Sequence, residues 1–98
     1  MSYSLEFKKS ALKEWKKLGH NIQNQFKKKL KERLENPHVR SAALSGTTNL
    51  YKIKLRQSGY RLVYSVNDEA IVVTVIAAGK RNKNQVYDIA LSRIQRAD

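Results

Sequence analysis

Residues 50–56, Leu50-Tyr51-Lys52-Ile53-Lys54-Leu55-Arg56, decide the fold. After Leu50 the run alternates strictly, setting Tyr51, Ile53 and Leu55 against Lys52, Lys54 and Arg56. Such alternation sends successive side chains to opposite faces, so it predicts a strand with one face in a core and the other in water. Downstream, Gln57-Ser58-Gly59 turns the chain into a strand from Tyr60 to Val66. Asn67-Asp68-Glu69 turns it again into one from Ala70 to Ala78. That last stretch is apolar on both faces apart from Thr74, which places it at the centre of a sheet. Upstream, residues 38–49 read as a loop ending in Ser45-Gly46-Thr47-Thr48-Asn49.

Farther out the period changes. Tyr3 to Phe7 alternates and predicts a first strand. Leu12, Trp15 and Leu18 recur at helical spacing in a helix from about Lys9, which Gly19 ends. Asn21 is the expected cap of a second helix, with Ile22, Phe26, Leu30 and Leu34 on one stripe and Asn36-Pro37 as its stop. A short turn between two helices makes an antiparallel hairpin. A last helix from about Gln85 to Arg96 carries Val86, Ile89, Ala90, Arg93 and Ile94. The order β-α-α-β-β-β-α predicts an α+β class: a small antiparallel β-sheet with an N-terminal helical hairpin and a C-terminal helix, in one domain over residues 1–98.

Charge narrows the function. The 98 residues carry 20 Lys and Arg against 8 Asp and Glu, a formal charge of +12. Such an excess repels itself in the folded state and calls for a polyanionic partner. Nucleic acid leads, because each neutralised phosphate releases counterions. An anionic membrane is second, and an acidic protein is compatible with either. There is no cysteine, hence no disulfide framework and no thiolate metal site. The longest apolar stretch is far short of the roughly 20 residues that span a bilayer, and the N-terminus lacks a signal pattern. The expectation is a cytoplasmic chain with no membrane partner.

The usual catalytic groups are scarce. His20 and His38 fall in turns at helix ends and read as solvated, and Asp68-Glu69 reads as a hairpin turn. No carboxylate pair or His, Asp or Glu cluster has ligand spacing, so neither metal nor cofactor is expected. The basic residues carry more. Lys52, Lys54 and Arg56 share one strand face, Arg61 lies nearly opposite across a short hairpin, and residues 50–66 contain no acid. Arg81 follows the central strand in Gly79-Lys80-Arg81, and Tyr87 begins the last helix. Taken singly each cation reads as solvated surface. As a set without compensating acids they read as a phosphate site. Lys27, Lys28, Lys29 and Lys31 lie off the apolar stripe of the second helix, where Glu32 and Glu35 can pair with some of them. With Lys13 from the first helix, Lys27, Lys28 and Lys31 are candidates for docking structured RNA.

Several of these segments resemble one family. Ala11-Leu12-Lys13-Glu14-Trp15-Lys16-Lys17-Leu18-Gly19 is similar to the first helix of RelE toxins. The runs from Tyr51 to Arg56 and from Ser58 to Tyr64, and Gly79-Lys80-Arg81 with Tyr87, are similar to its active-site segments in order and spacing. The likeness extends from about Tyr3 to Ile94. It implies the RelE-like microbial ribonuclease fold and a ribosome-dependent toxin that cleaves messenger RNA in the ribosomal A site without a metal, the message's own 2′-hydroxyl attacking the adjacent phosphate. It further implies Lys52, Lys54, Arg61, Arg81 and Tyr87 as the active site, ribosomal RNA and messenger RNA as partners, and a RelB-type antitoxin. Operator DNA would be met only through the toxin–antitoxin complex. Two alternatives remain: a gyrase-directed toxin of similar fold, whose members usually lack this set, and a non-enzymatic basic nucleic-acid-binding module.

Chemistry assigns roles within the set. Preorganised cations act where charge develops, which suits Arg61 and Lys52 to a phosphorane and Arg81 to the leaving oxygen. Like charges around Lys54 favour its neutral form and make it the candidate base. Tyr87 offers a ring for stacking a nucleobase and a hydroxyl for orienting the nucleophile, of which stacking is favoured.

Overall fold

The computed structural model describes residues 2–47, 49–80 and 85–95. Its elements are β1 (Ser4–Phe7), α1 (Lys9–Lys17), α2 (His20–Glu35), a 3-10 turn at Arg40–Ala42, β2 (Leu50–Leu55), β3 (Tyr60–Asn67), β4 (Val72–Lys80) and α3 (Gln85–Gln95). Class and element order are as the pattern predicts. The strands lie in the order β1-β4-β3-β2. β2 and β3 pair antiparallel, as do β3 and β4, because tight turns join them. β1 pairs parallel to β4, so the sheet is mixed rather than wholly antiparallel. No turn fixes the direction of β1: its chain leaves through the α1–α2 hairpin and returns only much later.

Arg56 is not part of β2; it lies exposed in the turn that follows. That turn closes with Gly59 at φ 78°, where a side chain would be strained, and the Gly59 amide donates to the Leu55 carbonyl at 2.8 Å. The central strand starts two residues later than expected. Residues 68–71 form a turn in which the Ala70 amide donates to Asn67 Oδ1. Ile71 there adopts φ 57°, an uncommon conformation for a β-branched residue. It presents the Ile71 carbonyl to the Ser4 amide at 2.9 Å, and the parallel ladder begins at that bond.

The helical hairpin also differs in one detail. Gly19, not Asn21, is the N-cap of α2, with the extended backbone of a cap (φ −62°, ψ 152°) and no side-chain acceptor. The joint is closed by Gln23, whose side-chain amide donates to the Trp15 carbonyl at 2.8 Å.

Two apolar layers flank the sheet. On one face Phe26 and Leu30 of α2 and Ala11 of α1 meet Ile53, Leu62, Tyr64, Val73 and Val75. On the other, Val86 and Ala90 of α3 meet Leu50, Val63, Ile76 and Ala77. A bulge serves both layers. Val63 pairs with Ala77 and Tyr64 with Val75, leaving Ile76 as an extra residue in β4. Tyr64 is fully buried, yet its hydroxyl donates to the Pro37 carbonyl at 2.7 Å and accepts from Arg33 at 2.9 Å. Burial pushes its phenol above the ordinary value, which the Arg33 guanidinium partly offsets.

Candidate active site

The β2–β3 register builds the site. Lys54 lies directly across from Arg61, and Arg61 in turn across from Gly79 of β4. Lys52 occupies the same face one row along, opposite Val63. This is the α3 side of the sheet, because Tyr51, Ile53 and Leu55 are committed to the layer beneath α1 and α2. α3 starts close to Gly79, where an added Cβ would stand in ordinary contact with Val86 Cγ2 at 3.5 Å. The next residue, Tyr87, therefore reaches the basic row.

Arg61 Nη1 donates to the Tyr87 hydroxyl at 2.7 Å. The Arg61 guanidinium carbon lies 5.3 Å and Lys52 Nζ 5.8 Å from the centre of the Tyr87 ring. Both distances suit cation–π attraction. The phenol thus holds two cations whose mutual repulsion would otherwise drive them apart. Lys52 and Arg61 are half-buried and Lys54 is exposed, so the cluster forms an open basic surface that a phosphate chain can approach. The carboxylates that form ion pairs among the described residues are engaged elsewhere, Asp68 with His38 and Glu14 with Arg93. A groove of about 860 Å³ lies at the other end of the sheet among Asn49, Leu50, Asp68, Glu69, Leu91 and Ile94. Its charges, Asp68 and Glu69, have the wrong sign for a phosphate. Among the described residues, no three His, Asp or Glu side chains group so as to hold a metal ion.

A family model described as the ParE toxin of the type II toxin–antitoxin system, parDE, matches residues 5–85. The chain belongs to the RelE/ParE toxin family. Within that family it is 54% identical over 94 residues to the mRNA interferase toxin RelE of Escherichia coli strain K12, covering 96% of this chain and 99% of the relative. A substituted E. coli RelE toxin solved in the free state superposes with a TM-score of 0.88 at 53% identity, covering 96% of this chain and 99% of the other. The toxin in the intact E. coli RelBE toxin–antitoxin complex gives 0.80 at 54% identity, covering 84% and 100%.

Of the RelE/ParE set read from the sequence, the fold brings Lys52, Lys54, Arg61 and Tyr87 together; Arg81 lies outside the described residues. Among the docking candidates, Lys27, Lys28 and Lys31 share a shallow depression with Asn24 and Gln25 on α2. Lys13 is exposed on α1. Both helices cover the sheet face opposite α3, so these cations are separated from the Arg61–Tyr87 cluster by the thickness of the sheet.

Two side-chain groups escape a linear reading. His38 is not merely a solvated turn residue. Its Nδ1 lies 2.9 Å from the Tyr51 hydroxyl and its Nε2 2.7 Å from Asp68 Oδ1, which also accepts from the Tyr3 hydroxyl at 2.7 Å. The second group, Glu14 with Arg93, joins residues near the two ends of the chain. Nothing in sequence spacing announces either.

The Asp68 contacts give a pH dependence with a definite sign. The His38 bond, then the Tyr3 bond, hold the Asp68 carboxyl below its ordinary value, while the Asp68 bond raises the Tyr3 phenol above its own. A lowered carboxyl stabilises the fold at pH values above its unfolded pKa, and this is lost as pH falls through the folded value. A raised phenol contributes below its unfolded pKa and is lost as pH rises through the folded value. Chemical unfolding of Asp68→Asn from pH 2 to pH 11 should therefore show a shallower decline at both extremes than wild type. Parallel curves would remove this network from the account of stability.

Proposed function

We propose that this chain is a ribosome-dependent mRNA endoribonuclease, an mRNA interferase toxin that cuts the message in the ribosomal A site and so inhibits translation. The observation that carries the reading is the Arg61–Tyr87 bond with Lys52 beside it and Lys54 across the ladder. It places cations around a point where a phosphate can sit, in a chain more than half identical to E. coli RelE. The message's 2′-hydroxyl attacks the adjacent phosphorus and the 5′-oxygen leaves. Lys54 takes the 2′-hydroxyl proton. Arg61 and Lys52 stabilise the negative charge of the phosphorane. Arg81 is assigned, from its place after β4, to the departing oxygen. Tyr87 aims Arg61 through its hydroxyl and offers its ring for stacking a nucleobase.

Lys and Arg are weak acid–base catalysts near neutrality. Alignment of the nucleophile must then come from the ribosome, since holding reactants in line contributes roughly 7–11 kcal/mol. The docking lysines of α2 suit ribosomal RNA. E. coli RelE has been solved with its antitoxin RelB, which supports a RelB-type protein as the neutralising partner here, with operator DNA reached only through that complex. Among the described residues no helix is long and apolar enough to cross a membrane, and the proposed site of action is the cytoplasm.

Primer extension on programmed ribosomes tests the reading. New message ends at the A-site codon are expected, with the same RNA left intact in the absence of ribosomes. Damaged DNA with whole messages would transfer the chain to the gyrase-directed alternative, and binding without either would make it a basic binding module. In the same system, reversing Lys27, Lys28 and Lys31 to Glu should weaken ribosome association. It should also lower the slope of log affinity against log salt by roughly one per lost phosphate contact. An unchanged slope would return those lysines to ordinary solvated surface.

A further inference from the structure

We propose that Glu14 and Arg93 are positioning residues for cleavage: as a pair they cap the edge of β4 that β1 does not reach, and so fix α3 where Tyr87 meets Arg61. The inference rests on the functional reading above. The ladder between β1 and β4 ends at Phe7 and Val75, closed by the Lys8 amide donating to the Val75 carbonyl at 3.0 Å, whereas β4 continues to Lys80. Its outward backbone groups beyond that point need partners, since an unpaired strand edge is costly when shielded from water. Side chains supply them. Arg93 Nη1 donates to the Ile76 carbonyl at 2.8 Å, and Glu14 Oε1 accepts from the Ala78 amide at 3.2 Å.

The two side chains are also bound to each other through a fork, Nη1 to Oε1 at 2.8 Å and Nη2 to Oε2 at 3.0 Å. A bidentate guanidinium–carboxylate pair fixes orientation as well as distance. Only 12% of the Arg93 and 28% of the Glu14 side chain is exposed, so the bonds are largely shielded from competing water. Glu14 comes from α1 on one layer and Arg93 from α3 on the other; the pair clasps both around the strand.

Tyr87 depends on that clasp because the apolar hold on α3 is confined to its first two turns. Its described buried side chains are Val86 and Ala90, both small, while Ile89, Leu91 and Ile94 are exposed. Val86 and Ala90 seat the first two turns on Leu50, Val63, Ile76 and Ala77, while among the described residues the last turn carries no buried apolar side chain. Arg93, six residues beyond Tyr87, anchors that last turn to β4 and so fixes the angle at which the helix presents the tyrosine.

The pairing has a polarity that a mere salt bridge lacks. The donor faces a carbonyl and the acceptor faces an amide. Exchanging the residues, Glu14→Arg with Arg93→Glu, restores opposite charges but turns a carboxylate toward the Ile76 carbonyl and a guanidinium toward the Ala78 amide. Single-turnover cleavage on programmed ribosomes is the assay, run below the thermal midpoint of every variant. The conservative changes Arg93→Lys and Glu14→Gln should each lower the maximal rate about tenfold, at an unchanged half-saturating ribosome concentration. The exchanged pair should do no better. In a Tyr87→Ala background the same changes should cost less than about twofold further, because residues acting through one group are not additive. Losses that multiply in full, recovery by the exchanged pair, or a change in ribosome affinity alone would overturn the proposal.

A second readout needs no ribosome. The Arg61 side-chain NMR signals, shifted by the Tyr87 ring, should move toward those of Tyr87→Ala when Arg93 becomes Lys. If they stay in place, positioning is overturned even in a chain that cuts. A wild-type chain that fails to cut while these signals do move would overturn the functional reading and leave the clasp standing.

Discussion

Replacing Arg61 with alanine is expected to slow single-turnover cleavage on programmed ribosomes by about a hundred- to a thousandfold, the loss typical of removing one preorganised donor from a developing oxyanion. Two features of Arg61 make the effect large. Its guanidinium is oriented before substrate arrives, held at 2.7 Å by the Tyr87 hydroxyl, so little reorganisation is needed as charge develops. It also sits directly opposite Lys54 in the ladder, within the row proposed to receive the scissile phosphate. Arg61→Lys keeps the charge but loses the planar fork, and should fall between alanine and wild type. Because Arg61 is only half-buried and lies off the apolar layers, the alanine variant should remain folded. A variant that binds ribosomes more weakly but cuts at the wild-type maximal rate would make Arg61 a docking residue.

Lys54 gives the second large effect, and here the informative substitution is arginine. General base catalysis contributes about a hundred- to ten-thousandfold, so Lys54→Met should lose at least the lower figure. An arginine retains the positive charge but does not deprotonate in proteins. If Lys54 takes the 2′-hydroxyl proton, Lys54→Arg should be nearly as impaired as Lys54→Met. If its role is to neutralise phosphate, Arg should stay within a few-fold of wild type. The pH profile separates the same alternatives. Wild-type cleavage should rise with pH as the neutral amine becomes more populated, and the rise should disappear in both variants. A rise retained by Lys54→Arg would move the base to another group.

The strict alternation in residues 50–56 is enough to place Lys52 and Lys54 on one face, because side-chain direction in a strand depends only on parity. The short hairpin after it sets Arg61 opposite Lys54 with little freedom. Such local constraints are legible in sequence. The mixed character of the sheet is not, since the direction of β1 is fixed by backbone bonds to residues far along the chain. The N-cap at Gly19 has a different origin. A two-residue joint between helices leaves no room for Asn21 to stay outside α2, so hairpin geometry overrides a favourable capping side chain. His38 with Asp68, and Glu14 with Arg93, are contacts across the fold, and each residue taken alone resembles ordinary surface. An arginine at the helical spacing of Val86, Ile89, Ala90 and Ile94 is the available sign, but it does not name its partner.

The bulge in β4 has a consequence for how chains of this fold are compared. Ile76 is an inserted residue, and its carbonyl is the one that Arg93 takes at the open edge. A homologue one residue shorter at this point would keep the pairing of the flanking residues and lose only that acceptor. Its position 93 would then be released from the need for a donor, and a guanidinium left there would face a strand with nothing to offer it. Strand length at 76 and side-chain identity at 93 should accordingly change together in evolution. An alignment that absorbs the gap elsewhere would hide one inherited character as two unrelated differences.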